Sequence, residues 1–273
     1  MPRLAVLGQP ISYSRSPAMQ AAALAELGLA AEWSYEAIEV APADFEARVR
    51  GLAAAGFVGA NVTVPHKVAA LGLAGEASEA ARAIGAANTL SFPGGRVAAE
   101  NTDATGFLDS LPAPPAGKRA LVLGAGGSAR AVVFGLIERG ISRVHLANRT
   151  AERASVLADQ FGANIHPVAW ETIDSLLPRA GLLVNTTSLG MHGQPALELD
   201  ASLLPSHAVV ADLVYVPLET PLLSAARARG LKTADGLGML LHQAVRGFEL
   251  WFGTRPEVTP ELRSLVETDL TKL

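Results

Sequence analysis

The sequence predicts an α/β chain of two domains, and three observations predict it. Short apolar runs alternate with amphipathic stretches along the whole length. Near the middle the alternation restarts with a strand, Gly124-x-Gly126-x-x-Ala129 and a helix. Strands such as Leu182-Leu183-Val184 are apolar at every position, as a parallel sheet covered on both faces requires. The second half therefore reads as a doubly wound Rossmann-type domain, and the first half as a separate α/β domain. A chain of 273 residues is long enough to bury two cores.

Residues 4–7 read as a buried strand. A helix is expected over 17–27, with Ser16 as N-cap, Pro17 in the first turn and Gly28 as the stop. Residues 33–38 alternate like a strand, 42–55 are amphipathic and end at Gly56, and 57–63 form the next strand. Pro65 opens a further helix. Residues 89–92 and 97–101 flank Pro93-Gly94-Gly95 as a hairpin. The segment Pro112 to Gly117 is either a linker or, as preferred here, a loop after a bridging helix at 104–111. Strands then follow at 120–123, 144–147, 182–185, 209–213 and 231–233. Helices are expected at 129–138, 151–161 and 220–229. The last two helices, 237–252 and 260–270, are expected to return to the first domain. The domains so defined are 1–103 plus 237–273, and 104–236.

Hydrophobic residues make up 49% and charged residues 18%, so the chain is globular. A net charge of −4 without a basic block argues against nucleic-acid or anionic membrane partners. There is no cysteine, which excludes disulfides, thiolate metal sites and a cysteine nucleophile, and fits a reducing cytoplasm. The six histidines show no metal-ligand spacing and read as structural or surface residues.

Two stretches carry a candidate chemistry. Asn61-Val62-Thr63-Val64-Pro65-His66-Lys67 and Asn101-Thr102-Asp103 each place an ionisable group just past a strand, among amides and hydroxyls. A Lys–Asp pair in contact is an acid/base device, and amides beside it suit a polyhydroxylated substrate. The plain alternatives are a solvated lysine and an N-capping aspartate. Ser14 and Ser16, at a helix N-terminus, suit a carboxylate. Asn88-Thr89 follows Gly85-Ala86-Ala87, where a close approach is possible.

The third stretch, Gly124-Ala125-Gly126-Gly127-Ser128-Ala129, fits a dinucleotide pyrophosphate. The next strand ends at Asn148-Arg149-Thr150, where an NAD site usually has an acidic residue. Arg149 would pair with a 2′-phosphate instead, with Arg153 one turn on. NADP is thus the expected cofactor, and redox chemistry on an alcohol or ketone the expected reaction. The alternative is that Thr150 caps a helix and both arginines are solvated.

In this order the motifs resemble the shikimate dehydrogenase family. The resemblance runs from Ser14-Arg15-Ser16-Pro17 through the stretches above to Asn185-Thr186-Thr187-Ser188-Leu189-Gly190-Met191, Asp212-Leu213-Val214-Tyr215 and Gly236 to Ala244. One departure is Tyr13, where the family often has His; it bears on fine substrate preference.

The resemblance implies that the first domain binds shikimate and the second binds NADP. Ser14 and Ser16 would hold the carboxylate, with Tyr215 near. Asn61, Thr63, Lys67, Asn88, Asp103 and Gln243 would address the ring hydroxyls. Thr186, Ser188, Met191, Leu213, Gly236 and Met239 would border the nicotinamide, and Glu79 is a candidate cofactor-side carboxylate. Lys67 and Asp103 would be catalytic, in the reversible NADPH-dependent reduction of 3-dehydroshikimate. Rival readings are a quinate or aminoshikimate dehydrogenase and a non-catalytic NADP-binding sensor. The expected setting is the cytoplasm, as a monomer or homodimer, with small molecules as the only partners.

Overall fold

The computed structural model describes residues 2–12, 14–26, 28–114 and 119–270. Tyr13, and residues 115–118 in the expected loop, lie outside them. The chain forms two compact units, 1–103 with 241–273, and 104–240.

The first unit begins with β1 (Arg3–Gly8), α1 (Ser16–Glu26), β2 (Ser34–Glu39), α2 (Phe45–Ala54), β3 (Phe57–Val62) and α3 (Lys67–Leu73). It continues with β4 (Glu76–Ala77), α4 (Glu79–Ile84), β5 (Thr89–Ser91) and β6 (Ala98–Glu100). The strands form one mixed sheet in the order β2-β1-β3-β5-β6-β4. β1 runs parallel to β2 and β3, while β5 is antiparallel to β3 and β6. The expected hairpin is thus β5–β6, closed by a tight turn in which Gly94 and Gly95 take positive φ.

Several local expectations need correction. Ser16 is the first residue of α1 and not its cap; its amide donates to Ser14 Oγ at 3.4 Å. The helix expected from Pro65 begins at Lys67. The amphipathic stretch at 42–55 is a 3₁₀ turn, Pro42–Asp44, followed by α2. β4 and α4 escaped the sequence reading because two and six residues are too few to show a period.

The second unit holds α5 (Asp103–Ser110, of which Asp103 belongs to the first unit), β7 (Arg119–Leu123), α6 (Gly127–Glu138), β8 (Arg143–Ala147) and α7 (Ala151–Phe161). Then come β9 (Ile165–Val168), α8 (Ile173–Leu176), β10 (Leu182–Asn185), β11 (Val209–Asp212), α9 (Pro221–Ala228) and β12 (Lys232–Ala234). The six strands are all parallel, in the order β12-β11-β10-β7-β8-β9. That is the doubly wound order, with the direction of winding reversed beside β7. Strand alternation divides the core. Ala120 and Val122 join the cluster of α6 and α7, while Leu121 and Leu123 join that of α8 and α9.

α10 (Gly236–Phe252) opens in the second unit and continues in the first, where α11 (Pro260–Leu270) also lies. A side chain at Gly236 would run into the Leu213–Val214 peptide, so the first turn of α10 belongs with the end of β11. In the first unit, Trp251 Nε1 donates to the Leu90 carbonyl at 3.1 Å and lies flush on Gly59. A Cβ at Gly59 would meet both the indole and that carbonyl. Gly59→Ala should therefore destabilise the protein by about 1–3 kcal/mol through overpacking. Gly51→Ala, in α2 with open space around it, should stabilise by about 0.5–1 kcal/mol. Urea unfolding of the two variants checks the contrast, and equal midpoints would remove the role given to Trp251.

Candidate active site

In the first unit, β3 ends in Asn61 and Val62 and the chain turns through Thr63 to His66 before α3. His66 anchors that turn. It is buried, its ring stacks on Phe45 at 4.4 Å, and its Nε2 lies 2.8 Å from the Val40 carbonyl. Lys67, the next residue, is thereby held at the start of α3, and its Nζ donates to Asp103 Oδ2 at 2.6 Å. Their side chains are only 12% and 5% exposed, so the pair is largely removed from water.

Asp103 is free for this because another residue caps its helix. Asn101 Oδ1 accepts from the Asp103 amide at 3.0 Å, in an Asx turn. The carboxylate is left to Lys67 and, through Oδ1, to Asn88 Nδ2 at 2.9 Å. Asn88 also donates to Thr102 Oγ1 at 2.9 Å and Gln243 Oε1 at 3.1 Å, and accepts from the Thr102 amide at 2.8 Å. Asn61 Nδ2 donates to Thr89 Oγ1, whose hydroxyl donates to Asn88 Oδ1. Asn61, Lys67, Asn88, Asp103 and Gln243 are thus joined in one network.

Tyr35 joins it too, and the sequence reading did not single it out. Its hydroxyl donates to Asn61 Oδ1 at 2.6 Å and also meets the Ser16 side chain. Ser16 and Ser14 therefore adjoin the cluster through Tyr35. Burial pushes the phenol's pKa well above its ordinary value, with the Ser16 hydrogen bond opposing. A phenol that stays protonated leaves Asn61 one orientation, with Nδ2 turned to Thr89. Thr63 is half-buried just beyond β3, and Glu79 is exposed in the first turn of α4.

In the second unit, Gly124 follows β7 with φ +104°, and Gly126 precedes α6 with open space where a Cβ would stand. No side chain caps α6, so its first N–H groups remain for an anion. The buried Ala129 gives close packing below. Asn148 ties this turn to the next strand: its Oδ1 accepts from the Ala125 amide at 3.1 Å and its Nδ2 donates to the Thr150 carbonyl at 2.8 Å. Thr150 occupies the N-cap position of α7, but its hydroxyl makes no cap bond, which corrects the simple capping reading. Arg149 and Arg153 are exposed beside it. Arg149 and Asn148 line a cavity of about 370 Å³ with Trp170, Glu171, Thr187, Ser188 and Leu189. Trp170 and Glu171 had escaped notice because they lie in a 3₁₀ turn beyond β9, a strand without a sequence signal.

The loops after β10 and β11 meet at a buried carboxylate. Asp212 Oδ1 accepts from Asn185 Nδ2 at 2.9 Å and the Val214 amide at 3.1 Å, and Oδ2 accepts from Thr220 Oγ1 at 2.7 Å. Thr186 donates its hydroxyl to the Leu123 carbonyl at 2.7 Å and closes against Gly124. Met191 is 38% exposed in its loop. Leu213, Tyr215, Gly236 and Met239 belong to this unit as well.

A parallel sheet with an uncapped glycine turn, in a chain that also pairs Lys67 with Asp103, fits the class of dinucleotide-dependent oxidoreductases. Residues 6–90 match the shikimate dehydrogenase substrate binding domain, 111–192 the shikimate / quinate 5-dehydrogenase family and 236–260 the shikimate 5′-dehydrogenase C-terminal domain. The chain is 63% identical over 269 residues to the NADP(+) shikimate dehydrogenase of Nitrobacter winogradskyi, covering 97% of this chain and 95% of the relative. It is similar to the shikimate 5-dehydrogenase of Thermus thermophilus solved with NADP(H) and shikimate, at 42% identity and a TM-score of 0.86, covering 100% and 99% of the two chains. It is also similar to the quinate dehydrogenase of Corynebacterium glutamicum solved with NAD, at 33% identity and a TM-score of 0.88, covering 99% of each. The chain belongs to the shikimate dehydrogenase family.

The raised pKa of Tyr35 has a measurable sign. The unfolded chain loses this proton near pH 10, while the folded chain keeps it to higher pH, so the contribution is full below about 10 and is lost as pH rises. Tyr35→Phe should flatten the alkaline fall in stability by up to about 1.4 kcal/mol per pH unit above 10. Urea unfolding near pH 8 and pH 11 tests it; parallel losses in both proteins would show the hydroxyl to be solvated.

Proposed function

We propose that this chain catalyses the reversible NADPH-dependent reduction of 3-dehydroshikimate to shikimate. The observation that carries the reading is the Lys67–Asp103 pair at 2.6 Å, set in a buried network of amides and hydroxyls. A binding module has no need of such a pair, whereas a dehydrogenase needs a proton donor beside the carbonyl it reduces.

The residues divide by chemistry. Ser14 and Ser16 take the substrate carboxylate, aided by Tyr215. Asn61, Thr63, Asn88 and Gln243 take the ring hydroxyls. NADP fits the second cluster, since Gly126 leaves room for a pyrophosphate and α6 has uncapped N–H groups. Gly124 to Ala129 would hold the pyrophosphate, and Asn148, Arg149, Thr150 and Arg153 the adenosine and its 2′-phosphate. Thr186, Ser188, Met191, Leu213, Gly236 and Met239 would border the nicotinamide. The chemistry NADPH supplies when bound is a hydride.

As the substrate carbonyl becomes an alkoxide, Lys67 Nζ delivers the proton. Asp103 fixes the amine by the bond at 2.6 Å and is itself fixed by Asn88, so the donor needs no search at the moment of reaction. In the oxidising direction the alcohol proton leaves through the same pair. No helix among the described residues is long and apolar enough to cross a membrane. We read the working form as a monomer or homodimer in the cytoplasm, where a cysteine-free chain fits a reducing compartment.

The direct assay is NADPH oxidation driven by 3-dehydroshikimate, with quinate and aminoshikimate tested in the reverse direction. Lys67→Ala should cut turnover by about 10²–10⁴ with a smaller effect on KM. Turnover near that of the wild type would leave Lys67 outside the chemistry. Arg149→Ala should raise the KM for NADPH about tenfold and leave that for NADH unchanged, at fixed ionic strength. A wild-type enzyme that uses NADH as well as NADPH would refute the role of Arg149 without any mutation.

A further inference from the structure

Asp212 is almost wholly buried, and all its partners are neutral donors: the Asn185 amide, the Val214 backbone N–H and the Thr220 hydroxyl. Burial pushes its pKa up, and the three hydrogen bonds pull the other way. A carboxylate kept in such a place has a geometric task, because its charge gains nothing there.

That task can be read from what each donor belongs to. Val214 and Thr220 are the two ends of the loop after β11, so one carboxylate closes it at both. Thr220 Oγ1 in turn accepts from the Leu223 amide at 3.3 Å and starts α9. Asn185 shapes the other loop: its Oδ1 accepts from the Thr187 amide at 3.0 Å and hydroxyl at 2.7 Å, and its Nδ2 donates to the Leu189 carbonyl at 3.1 Å. With an acceptor-only carboxylate facing Nδ2, that amide cannot turn over. Gly236 lies against the Leu213–Val214 peptide, and the His192 amide bonds the Val216 carbonyl at 2.8 Å across the two loops.

We propose that Asp212 is a positioning residue of the reaction, a side-chain clamp that sets the loops at 186–191 and 213–219 against each other. The inference rests on the functional reading above, in which those loops carry Thr186, Ser188, Met191, Leu213 and Tyr215 to the nicotinamide and the substrate carboxylate. Strands β10 and β11 keep their own backbone ladder without the clamp, so its loss falls on the loops and not on the sheet.

The test compares Asp212→Ala with Asp212→Asn. Asparagine keeps Oδ1 for Asn185 and Val214, and the Thr220 hydroxyl can rotate to accept from the new amide. The alanine variant should lose kcat by about 10–100-fold, the scale of a displacement near 1 Å at the reacting groups. Its affinity for adenosine 2′,5′-bisphosphate should fall far less than kcat, because Gly124 to Ala129 and Asn148 to Thr150 hold the adenine end and Thr187 to Leu189 only border its cavity. The asparagine variant should keep kcat within about threefold of the wild type.

Hydrogen exchange should quicken at Thr187, Leu189 and Val214 in the alanine variant and stay slow in β10 and β11. The proposal is overturned by an alanine variant with normal kcat, by an asparagine variant as damaged as alanine, by unchanged exchange in both loops, or by lost bisphosphate binding. Should Asp212→Ala not fold, Thr220→Val and Thr220→Ser replace it. Valine should lower kcat several-fold and serine restore it, and equal values for the two refute the clamp. A wild-type protein inactive on 3-dehydroshikimate would refute the functional reading alone, because the exchange measurement still reads the clamp.

Discussion

Asn88 is a buried amide with donors and acceptors that no bulk water can satisfy, and the first unit is arranged around meeting them. Its partners come from three places: Thr89 on β5, Thr102 and Asp103 where the chain enters α5, and Gln243 on α10. Each partner is also the partner of something else. Asp103 holds Lys67, Thr89 holds Asn61, and Asn61 is held by Tyr35. A half-satisfied network of this kind costs more than an apolar core, so the side chains can be placed in only one way. That constraint gives the Lys67–Asp103 pair its fixed geometry.

The second unit solves the opposite problem. Its glycine turn leaves hydrogen-bonding groups unspent, with no side chain over the start of α6. The polar side chains nearby are spent on the scaffold. Asn148 bridges two turns, Thr186 closes on a strand carbonyl, and Asn185 and Asp212 bind each other. What remains to face a ligand is backbone N–H and the exposed Arg149 and Arg153. Pre-organisation in one unit and availability in the other follow from the same rule, that buried polar groups are paired and unpaired ones stay accessible.

The Rossmann half was legible because its strands are apolar on both faces and its glycine turn has a fixed spacing. Lys67 and Asp103 were legible because each follows a strand within a run of amides and hydroxyls. Their contact was not, since it depends on Asn101 taking over the cap of α5 and leaving the carboxylate free. Tyr35 was read only as part of an alternating strand. Its role comes from the register that sets β2 beside β1, and from Asn61 reaching across from β3. Trp170 and Glu171 follow a short edge strand with a proline in it, a pattern that periodicity cannot distinguish from a loop. Ser16 suits a cap by residue type, but it is the first residue of α1, and its amide turns back to the Ser14 hydroxyl.

One amide nitrogen, Asn88 Nδ2, donates both to Asp103, where the chain leaves the first unit, and to Gln243, just after it returns. Side chains from the exit and from just past the re-entry therefore meet at one atom. No strand of the first sheet comes from the intervening residues, since its order uses only β1 to β6. The second unit thus lies wholly between two segments of the first. A longer or shorter second unit would leave the threading of the first sheet unchanged.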